Sequence, residues 1–147
     1  MNDDRLYRKV GEALHLAQAL ELNISLLISI LNRQFLAGID DRQLILADDR
    51  KTLGQLIREM KKHGDLNQEA ADTLSGALEA RNYVAHQFFN RTVEAFKSEA
   101  GCIAALEHLD KRTKKIAAAT AVTGGFVQAL CQTFNIKASD VLVRQDI

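Results

Sequence analysis

The chain has 147 residues, of which 47% are hydrophobic and 26% charged, and it contains no proline or tryptophan. This composition excludes collagen-like and intrinsically disordered chains and indicates one soluble globular domain. The 19 Lys and Arg residues balance 19 Asp and Glu residues. The chain therefore lacks the long-range field by which general nucleic-acid or anionic-membrane binders recruit their partners.

The cysteine content and the N-terminus indicate a cytoplasmic location. The two cysteines, Cys102 and Cys131, are too few for a disulfide framework and lie in apolar helical sequence. Residues 1–4 include two acidic residues where a signal peptide would be basic, and no later apolar stretch reaches membrane-spanning length. The nearest candidate, Leu22 to Leu31, is interrupted by polar residues and indicates a buried helical segment. We expect no membrane segment.

A long first helix is predicted after the acidic segment at residues 2–4. Its apolar residues recur three and four positions apart, as on one face of a helix; they are Leu6, Val10, Ala13, Leu14, Ala17, Leu20, Ile24, Leu27, Ile28, Leu31 and Phe35. A second apolar row, Leu22, Leu26 and Ile30, makes the C-terminal half apolar on nearly all sides. That half needs cover on two sides, one of which is available to another subunit.

A connection and a short helix are predicted next. Residues 36–51 are irregular, with Asp-Asp-Arg occurring twice around a short apolar segment. Thr52 and Gln55 have the spacing of a capping box, in which each side chain satisfies a free backbone N–H. A short helix should therefore run from there to about His63 and Gly64, where the glycine ends it.

Two longer helices are predicted in the second half. Asp65 or Asn67 caps the first, which continues into the segment 81–89. A polar break follows over residues 90–98, and a last long helix follows the break. The apolar residues of that helix are Ile103, Leu106, Leu109, Ile116, Ala119, Phe126, Leu130 and Phe134. The pair Gly124-Gly125 is a candidate kink.

These elements predict an all-α fold, an up-and-down bundle of four or five helices. Only the segment Val141-Leu142-Val143 shows period-two alternation. We expect a single helical domain over residues 1–137 and a short C-terminal tail over residues 138–147.

Two other sequence features are weak candidates for function. Glu12 and His15 have the Glu-x-x-His spacing of di-iron bundles, but such a site needs a second copy and two more inward carboxylates. The run Lys111-Arg112-Thr113-Lys114-Lys115 is interpreted as a solvated helix face, with a peripheral phosphate contact as the alternative. With no Gly-rich phosphate loop, His-Glu-x-x-His or Cys-x-x-Cys, the sequence predicts no metal and no cofactor.

Arg81 and His86, separated by four residues, form the one candidate active site. The spacing alone is weak, because Arg58 with His63 and Arg8 with His15 lie at similar spacings. Arg81 and His86 differ from those pairs in lying among apolar and aromatic residues, where a cation and an imidazole need partners or a purpose. Asn82 is four residues before His86 and shares its helix face, so its amide is placed to orient the ring.

The block Arg81 to Phe89, Arg-Asn-x-x-x-His followed by two aromatic residues in an all-helical chain of this length, resembles the HEPN superfamily (higher eukaryotes and prokaryotes nucleotide-binding). The resemblance spans residues 4–135, but only this block is specific. It implies a bundle that dimerises so that two motifs meet in one cleft, and in many members a metal-independent endoribonuclease. Antitoxin-paired members often have Tyr two residues after the His, where this chain has Phe88.

The residue types fit that chemistry. His86 would carry out general acid/base catalysis at the ribose 2′-OH, Arg81 would stabilise the phosphorane and Asn82 would position them. Products would be a 2′,3′-cyclic phosphate and a 5′-OH, and partners a second subunit, RNA or a nucleotide, and an antitoxin or regulatory protein.

Two other hypotheses stay open. The first is a non-catalytic HEPN-like module that binds a nucleotide, RNA or a protein. The second is a plain dimerisation protein in which Arg81 pairs with Glu79 or Glu21 and His86 caps a helix end.

Overall fold

The computed structural model describes residues 3–35, 44–45, 52–63, 67–136 and 141–142. The elements in chain order are α1 (Asp3–Phe35), β1 (Leu44–Ile45), α2 (Leu53–His63), α3 (Gln68–His86), α4 (Phe88–Thr92), a 3₁₀ turn (Ala95–Lys97), α5 (Glu99–Thr133) and β2 (Val141–Leu142). The predicted all-α helical bundle is confirmed, and its long helices are α1, α3 and α5.

Helices α1 and α5 run in parallel. In the N-terminal part of each helix, Nζ of Lys9 lies 3.2 Å from Oδ1 of Asp110. About four turns further along α1 and three turns further along α5, Nδ2 of Asn23 donates to the backbone oxygen of Thr120 at 3.1 Å and to Oγ1 of Thr123 at 3.2 Å. Since residues later in α1 contact residues later in α5, the two helices point the same way.

Helix α3 runs in the opposite direction to both. Arg81 near its C-terminal end contacts Glu21 on α1, and Phe89 just after it contacts Tyr7, which is earlier on α1. Residues later in α3 and α4 therefore face residues earlier in α1. The three long helices α1, α3 and α5 therefore alternate in direction along the chain.

The helix ends follow their capping residues. Thr52 and Gln55 exchange the two capping-box hydrogen bonds at 2.9 and 3.3 Å, as predicted. Oδ1 of Asn67 accepts from the backbone N–H of Ala70 at the start of α3. Ser98 caps α5 in the same way. The predicted stop at Gly64 and the alternative cap Asp65 lie outside the described residues.

The core fills the space between α1, α2, α3 and α5. Its buried residues fall into three contiguous clusters. They include Leu20, Ile24, Leu27, Ile28, Ile57, Leu74 and Ala119 at one end; Ala17, Ala80 and Ile116 in the middle; and Val10, Tyr83, Val84, Phe88 and Leu109 at the other end. The predicted apolar face of α1 is confirmed from Leu6 to Ile28, with Leu14 partly buried. The side chains of Leu31 and Phe35 lie outside the described part of the chain.

The predicted core residues of the last helix are only partly buried. Leu109, Ile116 and Ala119 are buried, but Ile103, Phe126 and Phe134 are 53%, 42% and 39% exposed. Among the described elements, α1 and α3 cover two flanks of α5, so a side chain on its outer face has no neighbour to pack against. Leu22 on α1 is likewise 44% exposed.

Helix α5 contains glycines at two places, and they differ in their effect on the backbone. Helix α5 continues as one element through Gly124 and Gly125, so the predicted kink does not interrupt it. Gly101 has a stricter role, because a Cβ there would collide with the backbone carbonyl of Ala95 in the 3₁₀ turn. Glycine at position 101 is what allows the turn to pack against the first turn of α5.

The two short strands pair in parallel, with Leu44 opposite Val141 and Ile45 opposite Leu142. This pairing joins the segment after α1 to the C-terminal tail, which the sequence predicted to be separate from the helical domain. The rest of the predicted 36–51 connection lies outside the described residues.

One helical stretch, Asp4–Ile30, is long and apolar enough to cross a membrane by length and composition alone. A core helix of a soluble protein and a signal sequence meet the same criterion. In this bundle the apolar face of the stretch packs against α2, α3 and α5. The expected absence of a membrane segment and the cytoplasmic location stay predictions.

Candidate functional site

The Arg81–His86 motif occupies the last turns of α3. Asn67 starts this helix, and its buried side chains at Leu74, Ala77, Ala80 and Val84 pack one face against the core. His86 is the final helical residue, because Gln87 leaves the helical region with φ −123° and ψ −25°. Phe88 then begins α4. The motif is therefore carried by a packed helix up to its terminus.

Arg81 faces α1 and is bound within the subunit. Its Nη2 lies 3.8 Å from Oε1 of Glu21, and its Nη1 donates to Oδ1 of Asn82 at 3.1 Å. The side chains of Arg81 and Glu21 are 26% and 31% exposed. At that distance and exposure the ion pair contributes at most about 1 kcal/mol to stability. The structure thus contains one of the two carboxylate pairings that the sequence left open for Arg81.

His86 is exposed at the end of α3, and among the described residues it makes no hydrogen bond or ion pair. His86 lies five positions after Arg81, about 140° around a helix. The two side chains therefore point to different flanks of α3. Asn82 was expected to orient His86, but its side-chain oxygen accepts from Arg81 instead.

Aromatic rings surround the end of α3. Tyr83 and Phe88 are buried, with ring centroids 6.3 Å apart. Phe89 is 42% exposed and its ring centroid lies 6.2 Å from that of Tyr7, which is 63% exposed. Phe88, two residues after His86, is thus a core residue, whereas Phe89 belongs to an exposed aromatic pair.

A second group of polar side chains lies on the α5 side of Tyr83. The ring of His108 packs edge-on against the ring of Tyr83, with centroids 5.2 Å apart. The guanidinium carbon of Arg112 lies 4.1 Å from the Tyr83 centroid, and its Nη2 is 3.4 Å from Nε2 of His108. We call Tyr83, His108 and Arg112 the α3/α5 cluster.

The electrostatics of this cluster favour a neutral imidazole. His108 is exposed, but the slight burial of its ring lowers its pKa below the ordinary value, and the positive charges of Arg112 and Lys111 lower the pKa further. A histidine with a lowered pKa is uncharged at neutral pH, and one of its ring nitrogens carries a lone pair that can accept a proton.

Sequence reasoning missed this cluster. It interpreted residues 111–115 as a solvated face, which is correct for the exposed Lys111, Lys114 and Lys115 but not for Arg112, which stacks on Tyr83. The sequence did contain one signal for this cluster, because His108 and Arg112 are spaced one helical turn apart.

Other candidate sites have less chemistry. No group of three or more His, Cys, Asp or Glu in the described ranges could hold a metal ion. Glu12 and His15 are both exposed on α1. A cavity of about 500 Å³ lies between α1, the 3₁₀ turn and α5, lined by Leu6, Phe96, Cys102 and Leu106 among others. It contains no residue of the Arg81–His86 motif.

Comparison of the sequence with protein-family models and curated proteins, and with solved structures, finds no match. The HEPN resemblance therefore rests on the residues of this chain alone.

Proposed function

We propose that the chain is a HEPN-like, metal-independent endoribonuclease that acts as a homodimer in the cytoplasm, in a toxin–antitoxin or defence role. The observation that carries the proposal is the exposed His86 imidazole, which ends a packed helix and has no partner among the described residues. A catalytic histidine must be reachable by RNA, and an exposed imidazole at the end of a packed helix satisfies this need.

The chemistry needs a general acid/base and a fixed positive charge. An imidazole can take or give a proton near neutral pH, and a guanidinium binds the phosphate through two parallel hydrogen bonds. His86 supplies the first group and Arg81 the second, with Asn82 holding the guanidinium at 3.1 Å. Phosphate binding requires Arg81 to exchange Glu21 for RNA. The products are a 2′,3′-cyclic phosphate and a 5′-OH, and no cofactor or metal takes part.

The homodimer is supported by an exposed apolar surface in the segment that follows His86. Tyr7 and Phe89 form an exposed aromatic pair, and Val93 after α4 is 55% exposed. Large exposed aromatic residues at one place on a soluble chain are typical of interaction surfaces. A second subunit bound there would bring its own His86 close to the first.

The neutral charge of the chain supports selective RNA binding. Without a broad positive surface, few phosphates are contacted at once, so the salt dependence of binding should be shallow. Selectivity then depends on the site and on a regulatory protein, such as an antitoxin, that covers it.

Incubation of the purified protein with diverse RNAs in EDTA tests the proposal, with analysis of the product ends. We expect cleavage by the wild-type protein and loss of cleavage in His86→Ala. His15→Ala, which removes another exposed histidine on α1, is the matched control and should cleave normally. An inert wild-type dimer across these RNAs would overturn the proposal.

A second candidate is a non-catalytic module that binds a nucleotide, RNA or a partner protein. It is favoured by the Arg81–Glu21 ion pair, which uses the guanidinium to join α3 to α1. Under this candidate the wild-type protein retains its ligand without turnover, and Arg81→Ala weakens the fold more than it weakens binding. RNA cleavage that depends on His86 would eliminate it.

A further inference from the structure

Metal-free cleavage of RNA involves two proton transfers, and the Arg81–His86 motif supplies one histidine per subunit. One group must take the proton of the 2′-hydroxyl, and another must give a proton to the departing 5′-oxygen. The α3/α5 cluster offers a second imidazole on the same subunit, and the following inference rests on the proposed function.

The cluster is held in a defined geometry. Tyr83 is 8% exposed and is fixed in the core by its contact with Phe88. Its ring carries the Arg112 guanidinium on its face at 4.1 Å and the His108 ring at its side at 5.2 Å. A cation over an aromatic face is stabilised by the quadrupole of the ring. The two functional groups are thus fixed by a buried residue.

Helix geometry places His86 near the side of α3 that carries Tyr83. Three residues separate it from Tyr83, so the two side chains differ by only about 60° around the helix axis, against about 140° for Arg81. Helices α3 and α5 are antiparallel. The last turn of α3, which contains His86, therefore lies beside the part of α5 that is N-terminal to the level of Tyr83, on the side of His108 rather than of Arg112.

The charge of the cluster suits a phosphate. Among the described residues Arg112 makes no ion pair with a carboxylate, in contrast to Arg81. Lys111 is exposed one residue before Arg112. The positive charges of Arg112 and Lys111 therefore lie close to the His108 ring, and no carboxylate among the described residues is paired with them.

We propose that His108 and Arg112 complete the ribonuclease site in each subunit, with His108 as the proton acceptor for the 2′-hydroxyl, Arg112 on the scissile phosphate and His86 as the proton donor. The His108 ring nitrogen takes the 2′-hydroxyl proton, and the 2′-oxygen forms a new bond to phosphorus. The bond from phosphorus to the 5′-oxygen breaks, and that oxygen takes its electron pair and a proton from His86. Both histidines then return to their starting states by proton exchange with water.

The lowered pKa of His108 supports this division of roles, since an acceptor must be unprotonated at the working pH. The described groups that contact His108 or act on its charge are Arg112 and Lys111 on α5 and Tyr83 on α3. Helix α1 reaches α5 on the other side, through the Lys9–Asp110 pair.

The first test compares cleavage rates of His108→Gln and Arg112→Gln with wild type. We expect a loss on the order of 10²–10⁴-fold in kcat for His108→Gln and about 10²-fold for Arg112→Gln. Lys114→Gln, which removes an exposed cation from the same run, is the matched control and should keep the wild-type rate. Far-UV circular dichroism checks that each variant is folded.

The pH profile separates catalysis from a structural role. The acidic limb of kcat/KM reports the proton acceptor of the free enzyme. In Arg112→Gln, which removes one of the charges that lower the pKa of His108, this limb should move to higher pH. If His86→Ala is inactive but His108→Gln cleaves within threefold of wild type, the inference is overturned and the proposed function stands. Absence of cleavage by the wild type overturns both.

A binding measurement keeps the inference testable without turnover. Uridine 3′-monophosphate is titrated into the wild-type protein, and the histidine ring resonances are followed by NMR. We expect shifts at both His86 and His108, with none at His15. A titration that moves His86 and leaves His108 unchanged would contradict the shared site.

Discussion

Nη2 of Arg81 lies 3.8 Å from Oε1 of Glu21, so the only cation of the Arg81–His86 motif is already engaged by a carboxylate on α1. Both side chains keep about a quarter to a third of their surface exposed, and a phosphate can therefore compete with Glu21 from solvent. Breaking the Arg81–Glu21 ion pair therefore weakens the contact between α1 and α3 and frees Arg81 for a ligand.

Removal of this competitor should favour RNA. In Glu21→Gln, we expect a lower KM for RNA and a loss of unfolding free energy below about 1 kcal/mol, since a partly exposed ion pair contributes little. Cleavage kinetics and urea unfolding measure the two effects. Glu12→Gln removes a carboxylate that lies 3.9 Å from Lys9 on the same helix and serves as the control. A KM unchanged in Glu21→Gln would show that Arg81 does not bind the phosphate.

His108 should make stability depend on pH. Its pKa in the folded chain is below the ordinary value of 6.5, so near and below pH 6.5 the unfolded chain binds more protons than the folded chain. Stability is then fully present above pH 6.5 and is lost as the pH falls through the folded pKa. Urea unfolding from pH 7.5 to 5 should show a smaller loss in His108→Gln than in wild type. Equal losses would contradict the lowered pKa.

Gly101 should not tolerate a side chain. Because a Cβ would collide with the backbone carbonyl of Ala95, we expect Gly101→Ala to destabilise the chain by about 1–3 kcal/mol, as other overpacked sites do. Gly11→Ala is the matched control, since no atom lies within 4 Å of a Cβ at that exposed helical position. That variant should gain about 0.5–1 kcal/mol from helix propensity. Thermal unfolding measures both, and a Gly101→Ala variant as stable as wild type would exclude the close approach.

The exposed aromatic pair should control self-association. We expect Phe89→Ser to weaken the dimer by at least about tenfold in Kd, equivalent to about 1.4 kcal/mol, because it removes the exposed ring that contacts Tyr7. Sedimentation equilibrium measures the Kd. Val122→Ser is the control, since Val122 is 40% exposed on a distant part of α5. Equal dimerisation of the two variants would place the interface elsewhere.

Local signals predicted the framework well. Thr52 with Gln55 and Asn67 cap the helices that their side chains indicated, because a cap depends on residues within one turn. The apolar row of α1 was also readable, since a regular spacing fixes one face. The exposed Ile103 and Phe126 were not predicted, because spacing does not tell which faces of a helix receive a neighbour.

The site was harder to predict, since it depends on contacts between helices. Apolar surroundings correctly indicated that Arg81 needs a partner, but Glu21 and Glu79 were equally available in the sequence. The stacking of Arg112 on Tyr83 depends on the packing of α5 against α3, which no local spacing encodes.

The side chain of Asn23 fixes the position of α1 along the axis of α5. Apolar faces alone would accept a slide of α1 along α5 by one turn, but such a slide would leave its amide without the Thr120 and Thr123 oxygens. Since Arg81 is tied to α1 and Arg112 to α3, a shift at this one amide would displace both cations from their present places. The spacing of the two proposed phosphate contacts is therefore set by an uncharged side chain that touches neither of them.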